Sequence, residues 1–275
     1  MDSLDANPKG SLTVVGTGIT VSGQMTLVTQ SIIQNADIVL SVVTQSALVN
    51  LQQLNTNTVC MRHFYEKEKS RLHTYRQMKQ CIIDEVIAGK RVVAAFYGHP
   101  GVFVNPSHNA ISELSSMGYR AEMLPGISAE DCLIADLGLD PSHWGCQSYE
   151  ASQFVLRQYS IDPYMMQIIW QIGSIGEFNY AKDKTEHPGL TVLRDKLLKT
   201  YQPDHEVIVY EASTIPLVPP RIEKLPLESL DAVVPKPIST LVIPATGLPE
   251  FDRVSVEQLN LSVDEIEQIL KIEKQ

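Results

Sequence analysis

Two loop sequences combine residue types that could hold a small ligand. Residues 97–103 read Tyr-Gly-His-Pro-Gly-Val-Phe, so two aromatic side chains flank a glycine-rich turn. An aromatic ring and open backbone could therefore face the same ligand, because glycine and proline favour tight turns with accessible backbone groups. His99 by itself is more typical of a structural histidine whose hydrogen bonds are satisfied inside the protein.

Residues 125–131, Pro-Gly-Ile-Ser-Ala-Glu-Asp, have the features of a turn that leads into a helix. Pro-Gly is a turn dipeptide, Ser128 is placed to cap the helix, and Glu130 with Asp131 suits its positive end. A turn followed by a helix start is a common cradle for a small ligand. An ordinary strand-to-helix junction has the same pattern, so this segment alone leaves both interpretations open.

A third segment carries groups suited to proton transfer and charge stabilisation. Arg71 and Tyr75 are four residues apart, so on a helix they share one face. The guanidinium stays protonated at any working pH, whereas a phenol can donate or accept a proton. By spacing alone, such a pair is more typical of a solvated helix surface. A role in proton transfer would need further functional groups close to the pair.

The elements that must position these segments alternate between strand and helix. Apolar runs and amphipathic patterns predict strands at 11–15, 36–43, 91–97 and 120–124, and helices at 25–34, 46–54, 65–89 and 109–117. This order predicts an α/β fold with a mostly parallel sheet, in which ligands bind at the carboxyl ends of the strands. The loop Gly16-Thr17-Gly18 ends the first strand, but it matches neither a dinucleotide fingerprint nor a Walker A loop.

The pattern changes beyond residue 124. We predict a second group of strands and one helix there, at 167–172, 206–212, 239–243 and 190–200. The domain prediction is therefore an N-terminal α/β domain over 11–124, a C-terminal α/β domain over 125–244, and a linker with a terminal helix over 245–275. The linker is placed at 245–253, and Ser262 with Glu265 predicts a capping box at the start of the terminal helix.

Composition and charge exclude several classes of partner. The 275 residues are 44% hydrophobic and 20% charged, which is typical of a globular protein with a sizeable core. The net charge of −10, without a basic stripe, argues against nucleic acid, and no apolar run is long enough to span a membrane. The four cysteines show neither CxxC spacing nor a metal-ligand pattern, which predicts reduced thiols in a cytoplasmic protein.

Together the segments resemble one known superfamily. Residues 12–18, 96–103 and 124–133 occur in the same order as the corresponding motifs of the tetrapyrrole methylases, and the resemblance covers roughly residues 11–244. It is closest to one branch, the borosin peptide backbone α-N-methyltransferases, whose catalytic segment is similar to residues 64–75. The resemblance implies a two-domain tetrapyrrole-methylase-like fold with the S-adenosylmethionine (SAM) site in the interdomain cleft.

The resemblance also implies roles for individual residues. The resemblance implies no metal, because SAM is already an activated methyl donor. After methyl transfer, the cofactor product would be S-adenosylhomocysteine. The catalytic residues would be Tyr65, Arg71, Tyr75 and Tyr97. The residues that contact SAM would be Tyr97, His99, Val102, Phe103, Ser128, Ala129, Gln171, Glu211, Ala212, Ser239 and Thr240.

Methylation of a backbone amide is demanding because the nitrogen lone pair is delocalised into the carbonyl. The proton must be removed, the charge on the oxygen stabilised, and the methyl group aligned with the nitrogen. We expect Arg71 to lower the pKa of a nearby phenol and to hold negative charge on the amide oxygen. Tyr65 and Tyr75 are candidates for base and oxyanion donor without an assignment between them, and Tyr97 would contact the amide oxygen or SAM. Fused members of the branch carry a further tyrosine where this chain has Arg62.

The expected partner is a ribosomal precursor peptide. Because the chain ends at Gln275 without an apolar core peptide, we expect a split form that acts on a separate precursor in trans. The resemblance further implies a homodimer, or a heterotetramer with two precursors. Two alternatives are a tetrapyrrole (precorrin or uroporphyrinogen) C-methyltransferase and a non-catalytic SAM- or precursor-binding module. The Tyr65–Arg71–Tyr75 segment disfavours both.

Overall fold

The strands of this protein form two five-stranded sheets, described here from a computed structural model that covers residues 10–21, 23–179 and 187–272. The strands are β1 (Ser11–Gly16), β2 (Ile38–Val42), β3 (Thr58–Cys60), β4 (Arg91–Phe96), β5 (Arg120–Met123), β6 (Cys146–Glu150), β7 (Met166–Trp170), β8 (Glu206–Glu211), β9 (Arg221–Pro226) and β10 (Thr240–Ile243). The helices are α1 (Leu27–Gln34), α2 (Gln45–Leu54), α3 (Arg71–Ile87), α4 (Asn105–Ser116), α5 (Ala129–Leu137), α6 (Ala151–Leu156), α7 (Pro188–Leu197), α8 (Arg253–Gln258) and α9 (Val263–Ile272). Short 3-10 helices occupy Met61–Phe64, Ile172–Ser174 and Leu227–Ala232.

The first sheet has the order β3-β2-β4-β1-β5 and all of its pairings are parallel. Its central strand β4 buries five consecutive residues, Val-Val-Ala-Ala-Phe, as expected for a strand covered on both faces. One core cluster packs α3 and α4 on one face, and a second packs α1 and α2 on the other. This sheet is the parallel α/β arrangement that the alternating pattern predicts.

The second sheet has the order β6-β7-β10-β8-β9 and is mixed rather than parallel. Only β6 and β7 pair in parallel, while β10 and β9 run antiparallel to their neighbours. The expectation of a mostly parallel sheet therefore applies to the first sheet alone, because β8 turns back directly into β9 without a crossover helix. Helices α6 and α7 cover one face of this sheet, and α5 covers the other through Leu133.

Several elements differ from the sequence-based prediction. Strands β3 and β6 and helix α6 were not predicted, and the edge strand β6 is only half-buried, which leaves little apolar signal. Helix α8 begins within the predicted linker 245–253, where Asp252 caps it by accepting bonds from the amides of Val254 and Ser255. The capping box of the terminal helix is confirmed by the reciprocal bonds between Ser262 and Glu265.

The long predicted helix over 65–89 is shorter in the structure, because α3 begins only at Arg71. Residues 65–70 form an irregular loop that is held to the preceding turn. The ammonium of Lys69 donates to the carbonyl oxygen of Phe64 at 2.9 Å, and the hydroxyl of Thr74 donates to the same oxygen at 3.3 Å. This anchoring places Tyr65 on a loop and Arg71 at the first position of the helix. Among the described residues no helix is both long and apolar enough to cross a membrane.

Candidate active site

The backbones of three loops touch where the first sheet ends. A Cβ on Gly16 would stand 2.9 Å from Cδ of Pro100, and closer still to the carbonyl oxygen of Gly98. A Cβ on Gly126 would stand 3.0 Å from Cα of Gly16 and 3.1 Å from the same oxygen. The amide of Gly98 donates to the carbonyl of Gly18 at 2.8 Å. Gly16 and Gly126 must be glycines because a side chain at either position would clash with a neighbouring loop. The loops after β1, β4 and β5 therefore pack into one surface, which we call the glycine floor.

Beside this floor lies a cavity of about 660 Å³, lined by residues from both sheets and of a size typical of small-ligand sites. Twelve of the residues predicted for the site line it. These are Tyr65, Arg71, Tyr75, Tyr97, His99, Val102, Phe103, Ser128, Ala129, Gln171, Ala212 and Thr240.

The two remaining predicted residues, Glu211 and Ser239, do not line the cavity. The hydroxyl of Ser239 donates to Glu211 at 2.7 Å, and Arg221 and Lys236 both form ion pairs with this carboxylate, at 2.8 and 2.7 Å. Burial raises the pKa of Glu211, but the hydrogen bonds from these three partners outweigh it and lower the pKa below its usual value. Their neighbours Ala212 and Thr240 do line the cavity, so this ionic cluster supports its wall.

Three phenols and one guanidinium lie together on one side of the cavity. Tyr65 shares a side-chain hydrogen bond with Tyr75. Burial is the main cause that raises the pKa of Tyr65 far above its usual value, and the phenols of Tyr75 and Tyr97 raise it further. Arg71 acts in the predicted direction and lowers this pKa, but burial outweighs it. Tyr65 is therefore a neutral phenol at physiological pH.

Tyr97 is placed in the same group by the loop after β4. About half of its surface is accessible, but that surface faces the cavity rather than open solvent. Burial, together with the phenol of Tyr75, therefore still raises the pKa of Tyr97. This phenol also keeps its proton at neutral pH and is available as a hydrogen-bond donor.

Another part of the cavity wall combines aromatic surface with a helix start. The rings of Phe103 and Trp170 lie 6.3 Å apart, and Phe103 and Gln171 both have left-handed backbone, with φ of 55° and 62°. Such backbone is uncommon for residues other than glycine and concentrates at ligand sites. Ser128 caps α5 through a capping box with Asp131, so its side chain is occupied while the helix start faces the cavity.

His99 has a structural bond as well as a place in the cavity wall. Its Nδ1 accepts a hydrogen bond from the amide of Gly101 at 3.0 Å, which holds the turn after β4. The structural interpretation of this histidine is therefore supported for one ring nitrogen. The residue also lines the cavity, and its contact with SAM stays a prediction.

Some lining residues were not predicted from the sequence. Val43 and Thr44 follow β2 and reach the cavity, and the rule that ligands bind at the carboxyl ends of parallel strands could have found them. Arg62, which stands in place of a phenol, also lines the cavity, and its guanidinium donates to the carbonyl of Val43 at 3.4 Å. In the part of the chain that the structure describes, no cluster of three histidine, cysteine or acidic residues could hold a metal ion.

The fold and this site belong to a known class of protein. Residues 11–230 match the family model of the tetrapyrrole (corrin/porphyrin) methylases, and the chain is a member of that family. Uroporphyrin-III-C-methyltransferase from Thermus thermophilus has the same fold: it aligns with 89% of this chain and 99% of its own, at a TM-score of 0.61 and 18% identity.

Closer relatives are fungal proteins. One relative is a methyltransferase/ribosomally synthesized cyclic peptide gymnopeptides precursor from Gymnopus fusipes, to which the chain is 43% identical over 266 residues. The alignment covers 95% of this chain and 63% of that relative. Over 216 residues it is 42% identical to a methyltransferase/type II borosin cyclic peptide precursor from Phlebiopsis gigantea, which covers 78% of this chain and 38% of the relative. The chain thus spans less than two thirds of the length of either relative.

Proposed function

We propose that this chain is a SAM-dependent methyltransferase that α-N-methylates backbone amides of a ribosomal precursor peptide. The observation that carries this proposal is the group formed by Tyr65, Arg71, Tyr75 and Tyr97 on one side of a single cavity. The names of both relatives, which join a methyltransferase to a ribosomal cyclic peptide precursor, support the same reaction class.

The cavity residues fit SAM, which has a flat adenosyl part and an amino-acid part with charged ends. Phe103 and Trp170 would offer apolar surface to the adenosyl part, and the start of α5 at Ala129 brings the positive end of a helix dipole to the cavity. The glycine floor allows close approach to backbone groups. When bound, SAM supplies a methyl group on a positively charged sulfur.

The side opposite SAM would activate the peptide amide. Arg71 is a permanent cation and would stabilise the negative charge that develops on the amide oxygen as the nitrogen loses its proton. Tyr97 is a protonated donor in the same cavity and would contribute a second hydrogen bond to that oxygen. Both groups would act more strongly in this partly buried site than in open water, because the protein screens charge less than water does.

The amide proton needs an acceptor, and we assign that role to Tyr75. Tyr65 retains its own proton because burial raises its pKa, and its hydrogen bond with Tyr75 raises the pKa further, as expected for the donor of that bond. Tyr65 would therefore hold the oxygen of Tyr75 as an acceptor. In its deprotonated form, its own proton having passed to solvent, Tyr75 would accept the proton of the amide nitrogen and become a neutral phenol. The nitrogen would form a bond to the methyl carbon as the bond from that carbon to the sulfonium sulfur breaks, which leaves S-adenosylhomocysteine.

The test is direct. The purified chain is incubated with SAM and the candidate precursor peptide encoded beside its gene, and the product is fragmented by mass spectrometry to locate methyl groups. We expect backbone N-methyl marks, formed far more slowly but still measurably by Arg71→Ala and at the wild-type rate by Arg76→Ala, in which the changed arginine is exposed, one turn further along α3, and does not line the cavity. If wild type and Arg71→Ala behave identically without methyl gain, the proposal is wrong.

Other outcomes identify the alternatives. A methylated precorrin or uroporphyrinogen would indicate a tetrapyrrole C-methyltransferase, and tight binding of SAM or peptide without transfer would indicate a binding module. The prediction of a separate precursor is tested by the same experiment, because the peptide is added in trans. The predicted homodimer is tested by light scattering after size-exclusion chromatography.

A further inference from the structure

The stretch that follows β7 links the cavity wall to the start of the catalytic helix. We call residues 171–179 the 171–179 segment. At its beginning, Gln171 and Ser174 line the cavity on the side proposed for SAM. At its end, Glu177 and the two residues after it contact the start of α3. One short segment of the second sheet therefore touches both halves of the proposed site.

The segment is held by a series of backbone contacts. The amide of Ser174 donates to the carbonyl of Gln171 at 2.9 Å, and the amide of Glu177 donates to the carbonyl of Ser174 at 3.1 Å. The amide of Gly176 donates to the hydroxyl of Ser152 at 3.1 Å. These bonds order the backbone between Gln171 and Glu177.

The start of α3 depends on this segment for its partners. Ser70 is the N-cap residue of α3, yet its side chain makes no capping hydrogen bond. Instead the amide of Arg71 donates to the carbonyl of Phe178 at 3.1 Å, and Ser70 forms an antiparallel bridge with Asn179. First-turn amides normally need a cap or another acceptor. Here the second sheet supplies the acceptor.

Glu177 adds a charge to this contact. Its carboxylate lies 3.7 Å from the guanidinium of Arg71, and only 13% and 24% of the two side chains are exposed. Water screens such a pair less than a surface pair. At 3.7 Å the pair is longer than a hydrogen bond, so the carboxylate attracts and orients the guanidinium while leaving its N–H groups to face a substrate oxygen.

We propose that Glu177 is the positioning residue for Arg71, and that through the 171–179 segment it couples the SAM side of the cavity to the catalytic side. This inference rests on the proposed function. The carboxylate acts only through Arg71, whose guanidinium meets the amide oxygen. The sequence motifs do not mark Glu177, which lies after the turn at Gly173-Ser174 and 106 residues from Arg71 in the chain.

A double-mutant cycle tests the proposal on the full chain. Glu177→Gln keeps the shape of the side chain and removes its charge. We expect it to lower kcat for peptide methylation by about 10–100-fold with little change in the KM for SAM, as misplacement of a catalytic group does. In an Arg71→Ala background the same change should cost less than about threefold, because its target is gone.

A matched control distinguishes positioning from general damage. Glu206→Gln removes a carboxylate paired with Lys224, outside the cavity and outside the cluster around Glu211, and should leave kcat within about twofold. Equal losses from Glu177→Gln in both backgrounds, or no loss in the wild-type background, would overturn the proposal. Glu177→Asp, which restores the charge on a shorter side chain, should recover part of the activity.

A second measurement is independent of methylation. Hydrogen exchange of the amides at residues 71–75 should be about tenfold faster in Glu177→Gln than in Glu206→Gln, because the start of α3 loses the ion pair that adds to its backbone contacts with the segment. Unchanged exchange would overturn the positioning role even in an active enzyme. If the wild type methylates no peptide but exchange changes as expected, the proposed function fails while the coupling stands.

Discussion

Replacing Gly16 with alanine should disable the cofactor side of the site more than it disables the fold. The added Cβ would lie 2.9 Å from Cδ of Pro100, 3.3 Å from Cα of Gly126, and closest to the carbonyl oxygen of Gly98. Ordinary carbon contacts need about 3.5 Å or more, so the loops must part by about 1 Å. All three neighbours are backbone atoms or part of a rigid ring, which cannot turn aside as a flexible side chain would.

The size of the effect follows from that displacement. Overpacking of this kind costs about 1–3 kcal/mol of unfolding free energy. The loop that must move carries Tyr97 and His99, and a displacement of about 1 Å at such groups lowers catalytic efficiency by roughly 100-fold. We therefore expect Gly16→Ala to remain folded, with strongly weakened SAM binding and methylation.

The assay pairs urea unfolding with calorimetric titration of S-adenosylhomocysteine, and Gly89→Ala is the matched control. Gly89 has φ of 86° and nothing within 4 Å of an added Cβ, so alanine there introduces backbone strain far from the cavity. We expect this strain to lower the free energy of unfolding by about 1–2 kcal/mol without changing the affinity for S-adenosylhomocysteine. Equal ligand affinity for the two variants at equal stability would refute the reasoning.

Three further substitutions test other parts of the structure. Tyr65→Phe should slow methylation by about 100-fold with an unchanged KM for SAM, because Tyr75 loses the donor that holds it as a proton acceptor, and steady-state kinetics would measure this. Glu211→Gln should lower the free energy of unfolding in urea at pH 7 by about 2 kcal/mol, because the charge-assisted hydrogen bonds from Arg221 and Lys236 become bonds to a neutral group. Because the pKa of Glu211 is lowered in the folded state, its ionised carboxylate stabilises the fold fully above the unfolded-state pKa of about 4.3. This stabilisation is lost as the pH falls through the folded-state pKa, so the unfolding free energies of wild type and variant should converge in acid. Tyr210→Phe removes a 2.7 Å bond to Asp136 and should cost about 1 kcal/mol; no change in unfolding would contradict that.

The architecture of the first sheet could be predicted because its signals are local. Strand β4 is a continuous apolar run and α2 begins after a threonine cap, and each of these patterns depends only on neighbouring residues. The second sheet was harder to predict because β6 is half-buried and β9 alternates between intermediate and exposed residues. Their positions are set by pairing with strands distant in sequence.

The site shows the same division. The loops at residues 97–103 and 125–131 were identified as ligand-binding candidates from glycine, proline and aromatic residues alone, and both line the cavity. The start of α3 was placed six residues too early, because the amphipathic pattern continues through a loop that Lys69 and Thr74 fold back onto Phe64. A periodic pattern cannot reveal that competing set of hydrogen bonds.

By itself the sequence determined which groups are available: the phenols, the permanent cation of Arg71, and glycines where backbones must touch. These follow from residue type and from short-range turn and helix preferences. Only the tertiary structure decided that Tyr65 is neutral, that Glu211 supports the wall from behind, and that Glu177 meets Arg71. Burial and charge contact depend on distances between segments far apart in the chain, and those distances exist only once the two sheets are packed.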